Sequence, residues 1–332
     1  MNLKNGSLLS AYIMSCYRPL KAFVLGNNPE TGKKIIRVVN KEFNGEEYSK
    51  VGMPQIGIPC GKCIGCRLDY SRTWADRMIA EASLYKSNYF LTLTYDNEHL
   101  PPKRENSPIH SLNKRDAQLF MKRLRKALPE QKIRFFCAGE YGPQSMRPHM
   151  HIILFNCKLD DLKLLRENDL KQPYFVSETI SKVWPFGFHI IANVNWDTCA
   201  YVARYVVKKQ KGAGAEVYDK YNFEPEFSTM SRKPGIGHDF MVDHMDELYA
   251  YGSINIPTKD GAKSIRPCKY YDNLFDLEYP ELMKDIKFDR QQAAIDYNKV
   301  RSSLTNLSYQ DILRSAEINK DATIKCLKRK EL

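Results

Sequence analysis

Residues 147–155 read Arg147-Pro148-His149-Met150-His151-Ile152-Ile153-Leu154-Phe155. The run is short, dense in β-formers and preceded by the turn-rich Gly142-Pro143-Gln144-Ser145-Met146, so it is a strand entered from a tight loop. Upstream, Ile133–Tyr141 has the same character, and the two segments form a hairpin. In a strand, residues i and i+2 point to one face. His149 and His151 therefore project together while Met150 turns the other way. Two imidazoles side by side are a ready pair of metal ligands. The chain holds seven histidines, which makes this pairing uncommon by chance. Glu140 lies on the preceding strand, and antiparallel pairing can bring it beside both histidines. Two imidazoles and one carboxylate leave coordination positions open for water and a phosphate oxygen, a catalytic arrangement rather than a closed structural one.

Outward from this hairpin, the pattern alternates. Leu68–Tyr85 carries Trp74, Met78, Ile79 and Ala82 at helical spacing. Phe90-Leu91-Thr92-Leu93-Thr94-Tyr95 is a strand. Leu112–Leu128 is a helix with Leu119, Phe120, Leu124 and Leu128 on its apolar side. Its other positions carry Lys114, Arg115, Lys122, Arg123, Arg125 and Lys126, either a solvated surface or a phosphate-contacting face. Residues 158–183 read as helical in part, Phe188–Val194 as a strand, and Trp196–Gln210 as a helix ended by Gly212-Ala213-Gly214. This order describes an α+β domain with a central antiparallel sheet flanked by helices over residues 68–214. Residues 1–67 form a Cys-rich N-terminal segment, and residues 215–332 a mostly helical C-terminal extension.

The last of those helices brings a second group. Within Tyr201-Val202-Ala203-Arg204-Tyr205-Val206-Val207-Lys208-Lys209, Tyr201 and Tyr205 stand four apart and share a helix face, with Lys208 about one turn beyond. A tyrosine hydroxyl can attack a phosphodiester and hold the cut strand as a phosphotyrosine ester. A lysine nearby can stabilise the phenolate or the scissile phosphate. Two buried tyrosines on an amphipathic helix with a basic last turn are the plainer reading of the helix alone; the histidine pair weighs against it.

A third group lies in Cys60-Gly61-Lys62-Cys63-Ile64-Gly65-Cys66. Three thiols at two-residue gaps, with Cys16 as a fourth, can hold zinc, suit an iron–sulfur cluster, or be free thiols. Nine cysteines, three of them so clustered, fit metal binding in a reducing compartment better than a disulfide framework.

Composition sets the outer bounds. The chain has 332 residues, 43% of them hydrophobic and 27% charged, as expected of a folded chain with a real core. No run of about 18 apolar residues is present, which argues against a transmembrane helix. Leu8–Met14, broken by Ser10, is weak as a signal peptide, so the expected compartment is cytoplasmic. Fifty-one basic against 39 acidic residues leave a net charge of +12. That surplus favours polyanion partners without deciding between them.

Together these motifs carry a resemblance. His149-Met150-His151 resembles the His-hydrophobic-His motif of the HUH endonucleases, and Tyr201-x3-Tyr205-x2-Lys208 their two-tyrosine nucleophile helix. Phe90–Asp96 is similar to the strand motif that precedes both. More narrowly, the chain resembles the replication initiation proteins of microviruses, particularly the gokushovirus branch. The matching segments run from Cys16-Tyr-Arg-Pro-Leu20 through Pro59–Leu68, Leu91–Pro101, Gly139–Gly142 and Arg147–His151 to Tyr201–Lys209; Arg232–Gly237 is similar to a family loop.

The resemblance implies rolling-circle initiation on a circular single-stranded DNA phage genome in the bacterial host cytoplasm. One tyrosine nicks the origin and joins the 5′ phosphate; the freed 3′-OH primes synthesis; the second tyrosine later releases the displaced circle. It implies Mg²⁺ or Mn²⁺ at His149, His151 and Glu140, and structural Zn²⁺ as an option at the cysteines. Implied partners are the single-stranded origin, replicative-form DNA, and host helicase and polymerase. Arg147, Arg204, Lys209, Lys122 and Arg123 are the candidates for DNA contacts. Two other classes remain: a non-catalytic zinc-containing DNA-binding protein, and an HUH transposase or plasmid-mobilisation relaxase.

Overall fold

A computed structural model describes residues 16–30, 32, 34–169, 171–205, 215–258 and 261–326. The chain divides into two compact units, one of residues 70–285 and one of residues 16–69 with 286–326.

The second unit begins with β1 (Leu20–Asn27), β2 (Lys34–Val38), α1 (Glu46–Lys50) and β3 (Gln55–Ile58). The strands form an antiparallel sheet in the order β2-β1-β3. Its core is thin: Ala22 and Phe23 are buried, whereas Leu20, Leu25, Ile35 and Ile36 remain exposed. Phe23 packs edge-on against Phe43 and Tyr48.

Chain order continues with α2 (Ile64–Ser83), β4 (Asn88–Tyr95), α3 (Lys114–Ala127), β5 (Arg134–Tyr141), β6 (Pro148–Phe155), β7 (Leu162–Glu167), β8 (Pro173–Ser177), α4 (Glu178–Val183), β9 (Gly187–Asn193), α5 (Trp196–Tyr205), α6 (Glu216–Lys220), β10 (Phe227–Met230), α7 (His238–Asp243), α8 (Met245–Tyr251), β11 (Ile254–Thr258), β12 (Gly261–Ile265), α9 (Lys269–Glu278), α10 (Pro280–Ser303) and α11 (Tyr309–Cys326). The last helices give the C-terminal region its helical character. Part of α10 and all described residues of α11 belong to the second unit, where Arg18 pairs with Glu317 at 2.7 Å. Pro19, Gly57, Asn298 and Tyr309 line one pocket there, so both ends of the chain build this unit.

The first unit is organised by a seven-stranded antiparallel sheet, order β10-β5-β6-β4-β9-β8-β7. Its main core lies on one face, where Leu91, Leu93, Met150, Ile152 and Leu154 meet α3 and Trp184. The α3 residues concerned are Ala117, Phe120, Met121 and Leu124, spaced as one helical stripe. Asn113 caps α3 by accepting from the Arg115 N–H at 3.0 Å. On the opposite face α2 brings Trp74 to Phe136, ring centroids 5.0 Å apart.

Two features depart from the periodic reading. Residues 158–183 hold strands β7 and β8, with only Glu178–Val183 helical. The Leu-rich stretch 162–165 mimics a helix, but Leu164 and Leu165 lie on an exposed edge strand with a bulge between Leu164 and Arg166. β10, beyond residue 214, is the opposite edge of the same sheet and pairs with β5.

A buried ion pair ties the loop at 232–237 to this unit. Glu81 is 1% exposed; it pairs with Arg134 and accepts the Gly237 N–H at 2.7 Å. Arg134 also donates to the carbonyls of Pro234 and Gly235. Removing one member strands the other, so Glu81→Ala is expected to cost about 3–5 kcal/mol. Urea denaturation should show this as an earlier transition; an unchanged midpoint would mean the pair adds nothing.

Candidate active site

The register of β5 against β6 sets Glu140 directly opposite His149, and Ala138 opposite His151. Direct partners in an antiparallel pair share a face. Glu140, His149 and His151 thus converge on the face away from the α3 core. The hairpin loop closes with Gly142 N–H on the Arg147 carbonyl at 3.0 Å. Arg147 straps it to the end of β4, donating to the Tyr95 carbonyl at 2.7 Å and to Asn97 at 2.9 Å.

One carboxylate oxygen of Glu140 lies 2.8 Å from His149 Nε2 and 3.1 Å from His151 Nε2. The candidate ligand atoms of the three residues all fall within 4.8 Å of one another. Burial pushes the Glu140 carboxyl up, but hydrogen bonding to the two histidines outweighs it and holds the pKa at about 2. The far ring nitrogens explain what the near ones can do. His149 Nδ1 sits 3.1 Å from the Arg147 carbonyl, which can only accept, so that nitrogen carries a proton. In the neutral ring, Nε2 then turns a lone pair toward a carboxylate oxygen. Two acceptors face each other, an arrangement that a proton or a cation between them resolves. His151 Nδ1 is 3.0 Å from Thr92 Oγ1, which can accept its proton and free Nε2 in the same way. This donor set fits a divalent cation with open positions.

Thr92 was not among the expected site residues. It is opposite His151 across β4–β6. Its signal lies in the alternation Leu91-Thr92-Leu93-Thr94, which turns both threonines to the histidine face.

The helix α5 lies beside this group. The Tyr201 ring stands edge-on to His151, centroids 5.1 Å apart, and Phe90 stacks on His151 at 5.5 Å. Cys199, Val202 and Ala203 are buried and fix the helix, while Arg204 is exposed with its guanidinium 5.6 Å from the Tyr201 ring. Tyr205 is the last described residue of α5. Its side chain, Lys208 and Lys209 lie outside the described residues.

The α3 basic residues are elsewhere. Lys122 is exposed, but α3 packs on the other face of the sheet. Arg123 donates to the Val183 carbonyl at 2.8 Å and lies 5.2 Å from the Phe186 ring, so it packs the fold.

In the second unit, Cys16, Cys60, Cys63 and Cys66 bring their sulfurs within 4.8 Å of one another. Cys16 and Cys63 sulfurs are 3.9 Å apart, far beyond a disulfide bond. Backbone N–H groups of Cys60, Tyr17 and Cys66 donate to sulfurs of Cys16 and Cys63 at 3.3–3.5 Å. Burial pushes the Cys63 thiol up, yet these donors lower it to about 7. Burial raises the Cys66 thiol. Such donors stabilise thiolate character, as a metal ligand needs.

Comparison with known proteins matches this layout. Residues 88–210, from β4 past α5, match the family model described as replication-associated protein ORF2. Replication-associated protein ORF2 of Spiroplasma virus 4 is 32% identical over 327 residues, 95% of this chain and 98% of that protein. Replication-associated protein VP4 of Bdellovibrio phage phiMH2K is 32% identical over 81% of this chain and 79% of its own length. Replication-associated protein ORF4 of Chlamydia phage 1 is 30% identical over 50% of this chain and 42% of its own. No solved structure matches. With near-complete coverage of the Spiroplasma virus protein, the chain belongs to the replication-associated proteins of microvirus-like phages.

Proposed function

We propose that this phage replication protein is a single-stranded DNA nickase and strand transferase that initiates rolling-circle synthesis, with the chemistry in residues 70–285. The observation that carries the reading is the convergence of Glu140, His149 and His151 beside Tyr201. The phenol oxygen of Tyr201 attacks the scissile phosphorus; the P–O3′ bond breaks. The phenol proton leaves to solvent, the 3′ oxygen takes one up, and the 5′ phosphate stays on tyrosine. The 3′-OH is then a primer for the host polymerase. A second tyrosine, Tyr205, repeats the transfer after one round, with Lys208 neutralising charge at the phosphate. A Mg²⁺ or Mn²⁺ ion held by His149, His151 and Glu140 supplies Lewis-acid polarisation of that phosphate. Thr92 and the Arg147 carbonyl hold the imidazoles in the ligating tautomer, and Phe90 keeps His151 and Tyr201 in place. Arg204, exposed beside Tyr201, suits a phosphate contact, and the net charge of +12 suits a polyanion. No helix among the described residues is long and apolar enough to cross a membrane, which is compatible with work in the host cytoplasm.

The test is incubation with labelled circular single-stranded phage DNA and Mn²⁺, then a denaturing gel and peptide mapping. A covalent adduct at Tyr201 or Tyr205, lost with chelator, is expected. No adduct with DNA binding intact would favour a non-catalytic DNA-binding protein.

The four cysteines are proposed as a zinc site of the second unit. Tetrahedral thiolates at 16, 60, 63 and 66 close the end of the β1–β3 ladder, where Leu20 pairs with Ile58. A unit with so few buried apolar residues gains most from such a staple. Elemental analysis of the full chain is expected to find one zinc per molecule, lost in Cys63→Ser. Iron with visible absorbance would mean a cluster instead, and no stoichiometric metal would end the assignment.

A further inference from the structure

Phe188 is the feature the mechanism leaves over. It is 69% exposed on β9, a large ring left in water within an otherwise well-packed sheet. Single exposed apolar residues are common, so exposure alone says little. Its position says more. The register pairs Glu140 with His149, His149 with Thr94, and Thr94 with Phe188. These four residues form one row across β5, β6, β4 and β9, and directly opposed residues share a face. Phe188 therefore stands on the histidine face, two strand spacings from His149, or about 10 Å. Thr94 between them is half-buried, and its hydroxyl donates to the Phe188 carbonyl at 3.3 Å.

The backbone holds this ring in place. Gly187 has φ +149, and a Cβ there would lie 2.4 Å from the Asp96 N–H nitrogen. The Asp96 N–H donates to the Phe186 carbonyl at 2.9 Å. The start of β9 is thus pressed onto the end of β4, and Phe188 has no freedom to fold back into the core.

We infer that Phe188 is a stacking platform for a nucleobase adjoining the scissile phosphate. The inference rests on the function proposed above. A phosphate seated at His149 places the neighbouring nucleotide over Thr94 and its base over Phe188. Aromatic faces bind unpaired bases in this way, with little dependence on sequence. The base class is any single-stranded nucleobase; a paired base has no free face to offer.

The experiment titrates the full chain against fluorescein-labelled oligothymidylate and against an abasic oligodeoxyribose phosphate of equal length. Phe188→Ala is expected to weaken thymidylate binding about ten-fold and leave abasic binding unchanged. Phe188→Trp is expected to keep wild-type preference for the base-bearing strand. Equal loss on both strands, or no loss on either, overturns the inference. So does a change of oligomeric state in sedimentation with DNA binding unaltered, which would make the ring a contact between copies. If the wild type forms the tyrosine adduct while Phe188→Ala binds thymidylate normally, stacking alone fails. If the wild type binds neither strand and forms no adduct, the proposed function fails with it.

Discussion

Replacing both His149 and His151 with alanine is expected to reduce DNA cleavage by at least about 10³-fold while single-stranded DNA affinity stays within about two-fold. The asymmetry has a physical source. Affinity for DNA comes mostly from phosphates neutralised over a broad basic surface, and two neutral imidazoles add little to that sum. Transition-state charge is different: it develops on one phosphate, and a cation positioned in a water-poor site is worth several kcal/mol there. Glu140 alone cannot hold that cation, because one carboxylate offers a single anchoring group where three converge in the native site. Adduct yield on a denaturing gel and filter binding on the same preparations measure the two quantities. Normal cleavage by the double variant would remove the metal from the reaction.

The second large effect concerns the tyrosines. With both Tyr201 and Tyr205 changed to Phe, no DNA-linked protein should form at any enzyme concentration, since no other phenol is proposed as nucleophile. The single changes should differ from the double. If either tyrosine can cut, Tyr201→Phe or Tyr205→Phe lowers strand transfer, scored as closed circles, more than initial nicking. Loss of all cleavage from one single change would replace alternation with one dedicated nucleophile. The ring of Tyr201, 5.1 Å from that of His151, makes it the better-placed candidate of the two.

Much of this layout was legible in the sequence, and the reason is period. Two histidines at i and i+2 on an apolar strand have to share a face, and Glu140 on the preceding strand has to lie near them if the strands form a hairpin. Register was the missing quantity: only the closure of Gly142 on Arg147 fixes Glu140 opposite His149. Thr92 and Phe188 were harder, because their roles come from neighbours on strands far apart in sequence. β7 and β8 were misread as part-helical since a solvent-facing edge strand need not alternate. β10 and the union of residues 16–69 with 286–326 depend on long-range pairing, which local pattern does not encode.

That union has a genetic consequence. Arg18 and Glu317, nearly 300 positions apart, meet in one unit, and Pro19 and Gly57 share a pocket with Asn298 and Tyr309. A single crossover between two related phage genomes within the codons for residues 70–285 would join one parent's first half of that unit to the other parent's second half. A double crossover exchanging the segment for residues 70–285 as a cassette keeps each unit of single parentage. Recombination in this gene should therefore tolerate swapped middles far better than swapped ends.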